Sequence, residues 1–269
     1  MATQQKAAAP KKNSEGFQGV RGAFWIIVVC AAIAFTLFFT WFGAGMHFEG
    51  GVTSGAPLDV WGTIFKGGIV VPVIQSLLLT VLAMGIERQL ALKTAFGKGA
   101  LPKFVQNIKA ALAAGDMAKA QKLCDQQRGS VANVVSASLA AYKDMETGAN
   151  ASLKKAQKVA KIQQAHEEAT QLEMPTLTMN LPIIATIVTL GTLTGLFGTV
   201  TGMIKSFSAM GEGGGAEALI NTAFGIGTSW FAVVFYNYFT NKVDKLTYAL
   251  DEVGYSIAQT YEANHTEEA

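Results

Sequence analysis

Charge is what this chain has least of. Asp, Glu, Lys and Arg make up 15% of its residues, against about a quarter in soluble domains, while 50% are hydrophobic. That imbalance points to a membrane protein before any segment is considered. A net charge of +2 is too small to attract a polyanion, which removes nucleic acid as a partner. Cysteine is nearly absent too. Cys30 lies in an apolar run and Cys124 in a polar, helical one, a spacing that suits neither a metal nor a redox pair. His47, His166 and His265 fall in separate segments, so neither a metal site nor a cofactor is expected. The chain shows no nucleophile–base pair, phosphate-cradling loop or ligand set, and an enzyme is the least expected reading.

What the chain does have is apolar runs of bilayer length, at ~1.5 Å of rise per residue across a core of ~30 Å. The expected architecture is an all-α membrane protein of four transmembrane helices, with a helical cytoplasmic domain between the second and third. Residues 1–22 read as a disordered polar tail and 23–43 as the first span, flanked by Trp25 and Trp41. Trp41 and Phe42 do not resemble the small residues of a signal-peptide cleavage site, so that span is read as retained. Residues 44–66 read as an exposed, glycine-rich periplasmic loop. The second span, 67–87, is stopped by Glu87-Arg88.

Residues 88–180 are the one sizeable region of soluble character. Pro102 suits a first helical turn, and Phe104, Val105, Ile108, Ala111 and Leu112 repeat on one helix face. Gly115-Asp116 supplies a break and an N-cap before the next helix. Two further helices follow, the last running past its lysines and glutamates to Pro175. Residues 181–205 form the third span, 206–216 a short glycine-rich connection, 217–240 the fourth span and 241–269 a polar tail, helical in its first part. All of the 21 Lys and Arg except Lys66 and Lys205 fall in the two tails or in 88–180. By the positive-inside rule both termini and the helical domain are cytoplasmic.

The third span is apolar but not plain. Gly191, Gly195, Gly198 and Gly202 are spaced by 4, 3 and 4 residues, which forms one stripe along which another helix can approach closely. Thr192 and Thr199 share a neighbouring face. On the fourth span Glu217, Asn221 and Thr228 lie close together on the helical wheel, beside a small, hydroxyl-bearing face of Thr222, Gly225, Ser229 and Ala232. No Asp, Glu, Lys, Arg or His stands in the middle of any span. Intramembrane ionisable groups usually mark proton and ion paths. If this chain moves protons, it presents hydroxyls, and another chain supplies the titrating carboxylate.

GLFGTVTGMI at Gly195 to Ile204 and EALINTAFGIG at Glu217 to Gly227, continuing as AVVFYN from Ala232, resemble the two signatures of the MotA/TolQ/ExbB proton channel family. LAAGDMAKAQKLC, from Leu112 to Cys124, is similar to the ExbB branch. The resemblance implies a multi-pass protein of the bacterial inner membrane, a homo-oligomer, expected as a pentamer, around an ExbD/TolR-like one-span subunit whose membrane aspartate carries the proton. The output would pass to a TonB-like protein. Carried over by position, Thr199, Glu217 and Thr222 would line the proton path, with Thr192 and Asn221 as added polar groups. Gly191, Gly195, Gly198, Gly202 and Gly225 are read as packing residues. The first span has no counterpart in three-span members, and Thr192 and Phe231 stand where the family often has proline. A TolQ-like envelope-maintenance subunit, a MotA or gliding-type motility subunit and a structural membrane scaffold remain as alternatives.

Overall fold

The computed structural model describes residues 19–20, 22–146, 150, 153–208 and 214–265, and for 214–217 the backbone alone. The expected N-terminal tail and the glycine-rich centre of the 206–216 connection lie outside the described residues. Among the described residues the protein is helical and strandless. Its helices are α1 (Ala23–Leu37), α2 (Val60–Lys66), α3 (Val70–Phe96), α4 (Leu101–Ala113), α5 (Met117–Gln127), α6 (Gly129–Glu146), α7 (Lys155–Thr178), α8 (Leu181–Ser208) and α9 (Gly214–Asn264). A π-helical turn, Phe38–Phe42, extends α1. The helical stretches containing α1, α3, α8 and α9 are long and apolar enough to cross a membrane. The chain divides into a membrane unit, residues 20–88 and 180–240, and a helical unit, residues 89–179 and 241–265.

Each boundary in the helical unit has a local cause. Pro102 stands in the first turn of α4, where its missing N–H costs nothing. Gly115 takes φ +71°, and Asp116 caps α5 by accepting from the Lys119 N–H at 2.9 Å. The amphipathic face Leu101, Phe104, Val105, Ile108, Ala111 and Leu112 is the buried face of α4. Against it and its neighbours α9 buries Leu246, Leu250, Val253, Ile257 and Tyr261, each 0–1% exposed. The spacing of these residues, three or four apart, makes one stripe along the helix. Fully burying an aliphatic chain of this kind contributes about 1.5–3 kcal/mol.

In this unit α6, α7 and α9 also enclose an imidazole. His166 is 8% exposed, and a Cβ on Gly254 would collide with its ring. Ser138 Oγ donates to the Val134 carbonyl at 2.9 Å, so the 2.8 Å contact with His166 Nδ1 has the imidazole as donor. Nε2 is then an unprotonated nitrogen without a partner. Burial pushes the His166 pKa below its ordinary value, and the pull of Asp251 and Glu167 in the other direction does not reverse this.

The membrane unit has an apolar core of its own at the α1–α2–α3 end. Cys30, Ala34 and Phe38, at intervals of four, are the buried side of α1 and its extension. Phe38 stacks on Phe65 at 4.9 Å and joins a core with Ile64 and Val71. The connection expected as an exposed loop is folded, with α2 capped by Asp59, which accepts from the Gly62 N–H at 2.9 Å. Val71, Ile74, Val81 and Met84 of α3 are fully buried. At Gly85 a Cβ would stand 2.8 Å from the Phe235 ring, so α3 and the first part of α9 meet closely there.

Candidate functional site

The third and fourth spans meet along a seam of glycine. Gly191, Gly195, Gly198 and Gly202 are the buried face of α8 in its apolar part, together with Leu181, Ile184 and Ile187. Opposite them on α9 stands Gly225: a Cβ there would lie 2.6 Å from the Gly191 carbonyl oxygen and 2.7 Å from Gly195 Cα. A Cβ on Gly195 would meet the Asn221 carbonyl oxygen at 3.0 Å and Gly225 Cα at 3.1 Å, and one on Gly198 would overlap the Asn221 side chain. Backbone therefore touches backbone. Lipid tails are as apolar as leucine, so helices in a bilayer gain little by burying large side chains and more by close approach.

That approach sorts the polar groups into two sets. Asn221 is fully buried, donates from Nδ2 to the Gly67 carbonyl at 3.0 Å and leaves Oδ1 without a partner. It ties α9 to the elbow between α2 and α3. One heptad on, Thr228 is 1% exposed with its hydroxyl likewise unpartnered. These two groups face the interior of the protomer. Thr192 spans the seam itself, donating to Ser229 Oγ at 2.9 Å.

Thr199 and Thr222 form the second set. Both are half-buried, and each donates to its own helix, Thr199 to the Leu196 carbonyl at 2.6 Å and Thr222 to that of Ala218 at 3.1 Å. Their lone pairs remain able to accept a hydrogen bond from an outside donor, such as a protonated carboxyl group. Thr222 Cα is 3.4 Å from the position of a Cβ on Gly195, one turn from Thr199 on the same helix. Glu217 belongs to the first turn of α9, and its side chain lies outside the described residues.

The structure adds a polar cluster that the sequence reading did not single out. At Glu87-Arg88, the expected end of the second span, the helix α3 itself runs on to Phe96, and both residues are buried, Arg88 completely. The pair neutralises itself, Arg88 donating to Glu87 through Nε and Nη2. Glu87 also accepts from the Val20 N–H at 2.8 Å and from Asn180 Nδ2 at 3.3 Å, and Asn180 donates to the Val20 carbonyl at 3.2 Å. Asn180 takes φ 63°, which breaks α7 from α8. Pairing of this kind offsets part of the cost of burying both charges. The available signal was an asparagine directly before an apolar run, a residue type that tolerates the left-handed region. Among the described residues no group of His, Cys, Asp and Glu could hold a metal ion.

Residues 132–252, a stretch containing both spans of the seam and the helices before them, match the sequence model of the MotA/TolQ/ExbB proton channel family. The chain is also similar to a Synechocystis sp. protein described as biopolymer transport protein ExbB-like 3, with 36% identity over 87 residues. That alignment covers 28% of this chain and 41% of the relative, less than half of the relative's length. The likeness is consistent with the ExbB branch. On its segment 132–252, and with four helices able to cross a membrane and a helical region between them, the chain is similar to the MotA/TolQ/ExbB proton channel family.

Proposed function

We propose that this chain is the proton-channel and stator subunit of an ExbB–ExbD-type motor in the bacterial inner membrane. In this reading it couples the proton motive force to a TonB-like protein for outer-membrane transport. The observation behind the proposal is the division of polar groups at the seam. Asn221 and Thr228 are committed to the protomer's interior, while Thr199 and Thr222 keep acceptor lone pairs on half-buried hydroxyls. The sequence places no titratable residue in the middle of any span. A path made of hydroxyls can pass a proton to and from a carboxylate but cannot store one at neutral pH. The storing group is then the membrane aspartate of a one-span, ExbD/TolR-like partner.

In this reading several copies, expected as five, surround the partner's helices, with Thr199 and Thr222 facing inward and Glu217 at the mouth. The distribution of Lys and Arg supports a cytoplasmic side for both termini and the helical unit. Thr199→Val and Glu217→Ala are expected to leave an inserted, assembled protein that no longer supports proton-dependent uptake. Normal uptake in both variants would remove the proposal. Co-purification with a one-span, aspartate-bearing protein, followed by native mass, gives the stoichiometry.

A further inference from the structure

The segment joining the first two spans has a built interior and an apolar exterior. Its backbone is bonded to itself: the Glu49 N–H donates to the Ala56 carbonyl, and the Leu58 N–H to that of His47, each at 2.9 Å. Asp59 links the two halves, bonding His47 Nδ1 at 2.6 Å while capping α2. Inside, Phe48 is 2% exposed, while Trp61, at the surface, rests one face on Phe42 at 5.2 Å with an interplanar angle of 15°. Outside stand Trp41, Met46, Val52, Leu58, Val60 and Trp61, with Met46 72% and Val60 69% exposed. Between residues 44 and 66 the formal charges are Glu49, Asp59 and Lys66. Two of these turn back on the segment, since Lys66 donates to the Ser54 carbonyl and lies 5.7 Å from the Phe48 ring centroid.

We infer that this segment is an interfacial anchor whose exposed apolar residues dock into the headgroup–acyl boundary of the leaflet at which the first span ends. Its ends are fixed at that boundary, because Phe42 closes one membrane-crossing helix and Val70 begins the next. Backbone groups already bonded internally lower the cost of leaving water. Tryptophan is the residue type that the interface favours, and Trp61 is held by its stack on the last residue of the span itself. Exposed apolar side chains at so many positions of one short segment mark a binding surface rather than a solvated turn. The anchor would set the height of the first span and hold α2 against the start of α3, next to the Gly67 carbonyl that Asn221 grips.

The test uses the full chain in phosphatidylcholine vesicles, with Cys30 and Cys124 replaced by alanine and a nitrobenzoxadiazole label on Leu58→Cys. Gln126→Cys in the helical unit serves as the control. The label at 58 is expected to show blue-shifted emission, with larger loss of emission to lipid brominated near the carbonyl end of its chains than near the methyl end. The label at 126 is expected to lose none. Quenching at 58 by aqueous iodide and not by brominated lipid overturns the inference and leaves the segment in water. Shielding from both quenchers overturns it in favour of a second copy of this chain. The unlabelled protein gives an independent reading if Leu58→Cys misfolds. Trp61→Phe should remove a component of tryptophan emission that shallow brominated lipid quenches, and an unchanged quenching profile contradicts the anchor.

Discussion

One helix, α9, is packed in two different materials. In the helical unit it buries Leu246, Leu250, Val253 and Ile257. In the membrane unit its buried positions along the seam are Ala218, Asn221, Gly225, Thr228, Ser229 and Ala232, with Phe239 the one large buried side chain near the end of that unit. Water rewards the removal of large apolar side chains from solvent, so the first stretch is held by bulk. Lipid offers no such reward, so the second is held by backbone approach at Gly191, Gly195 and Gly225 and by bonds such as Asn221 to Gly67. Beside the glycine stripe of α8 the large side chains, among them Leu193, Phe197 and Ile204, are exposed in the protomer. Interior and exterior are inverted between the helical unit and the α8–α9 seam. This inversion frees one face of the membrane seam to present hydroxyls, which a bulk-packed core could not accommodate.

Exchanging the two materials should damage each unit in the opposite sense. Ile257→Ala or Leu250→Ala leaves a cavity in the helical unit and is expected to cost about 2–5 kcal/mol, read as a lowered thermal midpoint in detergent. The analogous shrinkage is unavailable at the seam, where bulk is the threat. Gly225→Val forces α8 and α9 apart against backbone and is expected to cost about 1–3 kcal/mol or more, read as the same shift together with loss of the oligomer on native gels. If Gly225→Val is tolerated, the seam is not held by close approach.

A smaller effect separates the units by pH. Below about 6.5 the unfolded chain takes up a proton at His166, while the folded helical unit, with its depressed pKa, does not. Its stability is therefore complete above that pH and falls as the pH drops toward the folded value. His166→Gln should flatten this dependence. Cys124 provides the readout, since burial, with the neighbouring Asp125 charge, pushes its thiol up to about 12. Alkylation, taken as a ratio to that of the denatured protein at the same pH so that the thiolate fraction cancels, then reports opening of α5, and this ratio should rise on acidification in the parent protein only. The smallest effect expected is that of Asn221→Ala, which removes one buried bond of about 1 kcal/mol and, with it, an unpartnered acceptor. It is read as a slight fall in thermal midpoint.

Much of this was legible in the residues for reasons that differ between the units. The amphipathic pattern from Phe104 to Leu112 and the Gly115-Asp116 break act locally, and they correspond to the buried face of α4 and the cap of α5. The glycine spacing on α8 is equally local, and the buried side of that helix follows it. Which polar groups point inward was not legible. Asn221 and Thr222 are adjacent in sequence, and only the approach of α8 and of the Gly67 elbow turns one into the protomer and leaves the other half-exposed. The fate of Glu87-Arg88 depended on Asn180 and Val20, both remote in sequence. The fold of residues 44–66 depended on the pairing of His47 with Asp59 and on aromatic stacks. Non-local bonds among polar groups leave no periodicity to read.

The central claim is that the seam exists to hold Thr199 and Thr222 as hydroxyl acceptors for a partner's carboxyl group. The direct measurement is proton-dependent uptake by cells carrying Thr199→Val/Thr222→Val, with Thr199→Ser/Thr222→Ser beside it and oligomer content assayed in both. Valine matches threonine in shape and removes only the hydroxyl. Assembled valine protein with uptake abolished, and serine protein with uptake retained, is the predicted result. Normal uptake by the valine protein would contradict the account and leave the seam as packing alone.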